Sequence, residues 1–106
     1  MSDEAMAEHR ALLKEQQTNR VLSDIRMVEV GIAIPKDILV SRWLADRAIT
    51  PKHLQAARRQ VALDYHPDHG GNGALMQLAN SAIDEAITEL EALAEAANQR
   101  RAVAHV

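Results

Sequence analysis

"LDYHPDHGGN", residues 63–72, decides how this chain folds. The sequence on either side is rich in helix formers, whereas this stretch holds a proline and two adjacent glycines. Pro67 has no backbone N–H and biases His66 away from helical dihedrals, so a helix arriving from the N-terminal side must stop near Tyr65. Gly70 and Gly71 supply a flexible turn, and Asn72 can cap the helix that follows. The stretch predicts a reversal between two helices, with His66, Pro67 and Asp68 at its apex.

Reading back from the apex, Thr50 and Pro51 form a helix start: an N-cap hydroxyl, then proline where a missing N–H costs nothing. The incoming helix is expected over about 51–65, burying Leu54, Ala57, Val61 and Ala62. Reading forward, Leu75, Ala79, Ala82, Ile83, Ala86, Leu90 and Leu93 recur at helical spacing, which predicts a helix over about 73–97. Residues 98–106 are expected to fray. Before Thr50, "KDILVSRWLAD" predicts a short helix with Ile38, Leu39, Trp43 and Leu44 facing inward, and "RAIT" connects it to the next. Residues 2–17 read as helix, capped by Ser2 or Asp3 and anchored by Met6, Leu12 and Leu13, with "QQTNR" as a weak polar break. From Val21 the pattern is ambiguous. Val21, Ile25, Val28 and Ile32 fit a helical face, while Val28, Val30, Ile32 and Ile34 fit strand alternation. Helix to about Val30 is preferred, because a lone strand would lack a pairing partner. Residues 21–34 are too apolar to stay in water and should pack against something.

The 106 residues suffice for one domain, and 47% hydrophobic with 25% charged residues is ordinary for a globular protein. One Trp, one Tyr and no Phe leave the core to aliphatic side chains, which favours an all-α fold. The absence of cysteine excludes disulfides, thiolate metal sites and a cysteine nucleophile. No secretory signal or membrane-length apolar run is visible, so a cytoplasmic protein is expected. A net charge of −3 argues against nucleic-acid binding. That charge is divided. Residues 42–60 carry Arg42, Arg47, Lys52, Arg58 and Arg59 against Asp46 alone, net +4. Residues 72–99 carry Asp84, Glu85, Glu89, Glu91 and Glu95 with no base, net −5. The surface should be bipolar.

At the apex, proline holds His66 and Asp68 in a repeatable relation, which lowers the entropy cost of docking on a partner. An imidazole can donate or accept, and a carboxylate can take a bidentate bond from a guanidinium. Such residues also make ordinary polar turns. The longer stretch "LQAARRQVALDYHPDHGGNGALMQLANSAIDEA" resembles the J-domain of DnaJ-type co-chaperones: a basic helix ending in Tyr65-His66-Pro67-Asp68, a loop, and a helix carrying Asn80-Ser81-Ala82. Trp43-Leu44-Ala45 and "ITPKHLQAA" extend the likeness, which spans about 38–90. It implies a J-domain-like antiparallel hairpin within residues 36–97, an extension at 1–35 and a tail at 98–106. It further implies docking on a DnaK-type chaperone ATPase and stimulation of its ATP hydrolysis. The triggering tip would be His66, Pro67 and Asp68, flanked by Tyr65, Arg58 and Arg59. The ATPase chemistry would belong to the partner, so no enzyme activity and no cofactor are expected here.

The sequence departs from the family at several points. Asp64 stands where a base is usual, Arg58 where an aromatic is common, and His69 where Lys or Arg is common. Met76 and Ile83 replace aromatics of the third helix, and the glycine/phenylalanine-rich linker and zinc modules of full-length DnaJ are absent. Any client specificity would therefore come from residues 1–35 or from nothing beyond the tip, and residues 1–35 are also the candidate for self-association. The rival reading keeps the fold but makes the chain a bacterial or phage adaptor or inhibitor that binds a different protein. A metal site from His66, Asp68, His69 and His53 is disfavoured, because near-adjacent residues across a proline turn do not supply four ligands in fixed geometry. Acid–base catalysis is disfavoured at a convex tip, and His9 and His105 read as solvated.

Overall fold

A computed structural model describes residues 3–104, with the side chains of residues 3, 5, 9, 12–14, 69 and 102–104 excepted. The caps expected at Ser2 or Asp3, the anchors Leu12 and Leu13, and the side chains of His9, His69 and His105 lie outside what is described. The fold is all-α. Among the described residues there are five α-helices and no strand: α1 (Asp3–Lys14), α2 (Gln16–Glu29), α3 (Lys36–Ala45), α4 (Pro51–Tyr65) and α5 (Gly73–Ala104), with a 3₁₀ turn at Pro67–His69.

The polar stretch "QQTNR" does not break the chain. It opens α2, and the break falls one residue earlier, at Glu15. The ambiguous segment after Val21 is helical to Glu29, and its stop is glycine chemistry. Gly31 sits at φ +103, in the left-handed region. Its N–H donates to the Val28 carbonyl, and the Ile32 N–H donates to Met27. This is a Schellman ending, which satisfies the last carbonyls and turns the chain towards Pro35.

One aliphatic core joins four of the helices. Val21 and Ile25 of α2, Leu39, Val40 and Trp43 of α3, Leu54, Ala57, Val61 and Tyr65 of α4, and Leu75, Ala79, Ala82, Ile83 and Ala86 of α5 are all buried together with Ile49. Helices α2 and α3 are also tied by a buried carboxylate. Asp24, 5% exposed, accepts from the Trp43 indole N–H (3.0 Å) and from the Arg42 guanidinium (3.1 Å). A desolvated carboxylate is tolerable only with such partners.

Four expected inward positions face out, the first being Met6 of α1, 41% exposed. Ile38 is 46% exposed because α3 turns Leu39, Val40 and Trp43 to the core. Ala62 is exposed because it lies one step outside the stripe Leu54, Ala57, Val61 and Tyr65. Ala56 is buried instead, one turn from Lys52, whose ammonium reaches Glu8 of α1 (3.6 Å). Leu93 is 61% exposed, since α5 has by then outrun the helices it packs on. Helix α5 runs past the expected limit of about residue 97 to Ala104, with residues 91–101 exposed. No helix among the described residues is long and apolar enough to cross a membrane.

Candidate functional site

Helix α4 begins at the expected cap, with an unexpected partner. The Thr50 N–H donates to His53 Nδ1 (3.0 Å), and Thr50 Oγ1 lies 2.9 Å from the same nitrogen. A backbone N–H can only donate, so His53 Nδ1 is an acceptor in a capping-box arrangement. His53, weighed above as a metal ligand, is part of this helix start. Its position three residues after the cap was the available signal, though Glu or Gln is the usual occupant.

Helices α4 and α5 pack as an antiparallel pair. Arg58 meets Asp84 across them (3.0 Å), while Tyr65 lies against Gly71 at the turn. The turn is closed by local bonds. His66 caps α4 in an extended conformation, as Pro67 requires, and its Nδ1 accepts from the Asp68 N–H (3.1 Å). The Gly70 N–H donates to the Pro67 carbonyl (3.0 Å), and the Gly71 N–H donates to the His66 carbonyl (3.1 Å). Asn72 Oδ1 accepts from the Leu75 N–H (3.1 Å), which makes Asn72 the cap of α5. Gly71 cannot be another residue without movement, because a Cβ there would lie 2.4 Å from the Tyr65 carbonyl carbon. The loop is thus packed onto the end of α4.

The six site residues divide. Pro67 and Asp68 are exposed at the tip, with the Asp68 side chain 84% accessible, and His66 is half-buried behind them. Arg59 is exposed on α4. Arg58 is half-exposed and engaged with Asp84, so it braces the hairpin rather than standing clear of it. Tyr65 is a core residue, 8% exposed, and does not face outward.

The Tyr65 hydroxyl donates to Glu29 Oε2 at 2.6 Å. The phenol pKa is raised from 10.0 to about 12, first by burial and then by the Glu29 carboxylate, with Arg26 opposing them. Around this bond a groove runs between α2 and α4, lined by Arg26, Glu29, Val30, Asp64 and Tyr65. Asp64, the departure noted in the sequence, accepts from Gln60 one turn back (2.8 Å). Sequence reasoning missed Glu29 because it lies 36 residues from Tyr65 and carries no motif.

Among the described residues no three His, Asp or Glu side chains come together in a way that could hold a metal ion. The tip presents an imidazole, a pyrrolidine ring and a carboxylate on a locally braced loop, at the end of a helix whose last turn carries no base. Comparison of the chain with protein-family models, with curated proteins and with solved structures finds no match.

Proposed function

We propose that this protein is a J-domain-type co-chaperone that docks on a DnaK-type chaperone ATPase through the His66–Pro67–Asp68 loop and stimulates its ATP hydrolysis. One observation carries the reading: the three residues occupy the apex of a two-helix hairpin, with Asp68 exposed and its own N–H bonded to His66 Nδ1. A loop already bent into one shape loses little freedom on docking. Asp68 would take a guanidinium of the partner, since an unpartnered carboxylate desolvated at an interface is costly. Arg59 on α4 would help to steer encounter with an acidic surface, an effect felt mainly in the association rate. Bond cleavage would take place in the partner's nucleotide site, and this chain would contribute no catalytic group.

The test is steady-state ATP turnover by a DnaK-type ATPase with and without the protein. Stimulation by the wild type that is lost in His66→Gln supports the reading. No stimulation by the wild type, or equal stimulation by the variant, defeats it.

A second reading, an adaptor that holds a different protein, is favoured by Arg58. Its guanidinium is engaged with Asp84 and not offered to a chaperone. An adaptor would capture a different protein in a pull-down, and His66→Gln would leave that capture intact.

A further inference from the structure

We propose that Glu29 of α2 is a positioning residue for the His66–Pro67–Asp68 loop and acts through the phenol of Tyr65; its functional consequence rests on the docking role proposed above. The chain of contacts is short. Glu29 stands in the last turn of α2 and accepts the Tyr65 hydroxyl at 2.6 Å. Tyr65 is the last residue of α4, so its ring fixes the final turn of that helix against α2. The loop then closes back onto the Tyr65 backbone, where Gly71 approaches so closely that no Cβ fits. The Gly71 N–H is spent on the His66 carbonyl, and the Gly70 N–H on Pro67. The tip is therefore seated on a platform whose far edge is held by Glu29.

Helices α4 and α5 already meet through Leu54, Val61, Leu75 and Ile83 in the shared core. The Glu29–Tyr65 bond adds a constraint at the loop end of α4, where the apolar packing stops and Asp64, Pro67 and Asp68 are exposed. A part-buried bond with an ionised acceptor is among the stronger side-chain bonds, and its geometry is specific. The amino-terminal segment thereby gains a role in how the loop is presented. Any ligand or modification that displaced Glu29 would act on the tip from outside the loop.

The test uses the 106-residue chain and three variants. Glu29→Ala removes the acceptor, Tyr65→Phe removes the donor but keeps the ring, and Glu29→Gln keeps a carbonyl acceptor. Amide hydrogen exchange is read at Gly70 and Gly71, with Leu54 and Ile83 as core controls. The expected result is exchange at the two glycines about five-fold faster in Glu29→Ala and Tyr65→Phe, the factor of one ordinary hydrogen bond, with the core controls unchanged. Glu29→Gln restores most of the protection. Unchanged glycine exchange overturns the proposal, and so does an equal acceleration in the core, which would mean only global destabilisation. In the ATP-turnover assay, Glu29→Ala should raise the concentration for half-maximal stimulation about five-fold and leave the maximum alone. A wild-type value in that assay also overturns the proposal. If the wild type does not stimulate at all, the docking role falls, and the exchange data alone decide whether Glu29 orders the loop.

Discussion

At the scale of single residues, Gly71 and Tyr65 show how the loop is held. Gly71→Ala would push a methyl group into the Tyr65 backbone, which cannot swing aside as a side chain can. The expected cost is about 3 kcal/mol, the upper part of the range for overpacking, read as a lower urea midpoint with an unchanged slope. Tyr65 gives a second prediction. Its folded pKa of about 12 exceeds the ordinary 10.0, so the folded state keeps a proton that the unfolded state releases. The resulting stabilisation is complete below pH 10 and is lost as pH rises through about 12. As the chain holds one tyrosine, tyrosinate absorbance follows this titration directly. Glu29→Gln should lower the midpoint while leaving it above the ordinary value, because burial, the larger cause, remains. The tripeptide at the apex was legible from sequence because proline and glycine act on the backbone locally. The burial of Tyr65 was not, since nothing near residue 65 in the chain says that Glu29 will stand beside it.

At the scale of elements, legibility followed the strength of local signals. Thr50-Pro51 fixed the start of α4 and Pro67 its end, and both hold in the structure. Asn72 caps α5 as its residue type suggested. The end of α5 was misjudged because apolar spacing, used to set its limit, weakens after Leu90. Alanine, glutamate and glutamine are strong helix formers on their own account, and they carry the helix on without a packing face. Inward-facing positions went astray by one step at Ile38 and Ala62, where a helical stripe is narrower than the run of apolar residues. From this follows a third prediction. Residues 91–101 are exposed, so Leu93→Ala and Glu95→Ala should each change unfolding stability by less than about 0.5 kcal/mol, measured by urea denaturation.

At the scale of the whole molecule, α2 is structural. Val21 and Ile25 are fully buried among residues of α3, α4 and α5, and Asp24 satisfies the only tryptophan. Burying two such side chains contributes about 2 kcal/mol each, and orphaning the Trp43 N–H costs about 1–3 more. That sum rivals the roughly 5–15 kcal/mol by which a domain is stable at all. A chain beginning at Pro35 should therefore lose its cooperative thermal transition, followed by circular dichroism. The apolar content of residues 21–34 did announce that Val21 and Ile25 pack, although Val30 and Ile32 stay exposed. It could not say against what, because the buried carboxylate pairs with residues 18 and 19 positions away. The projecting end of α5 has a hydrodynamic consequence. The radius of gyration is 15.5 Å, against about 13 Å for a compact chain of this length, and the longest axis spans 56 Å. Gel filtration will overstate the mass of a monomer, so the number of copies in solution should be settled by sedimentation equilibrium or light scattering, which weigh a particle without assuming a sphere.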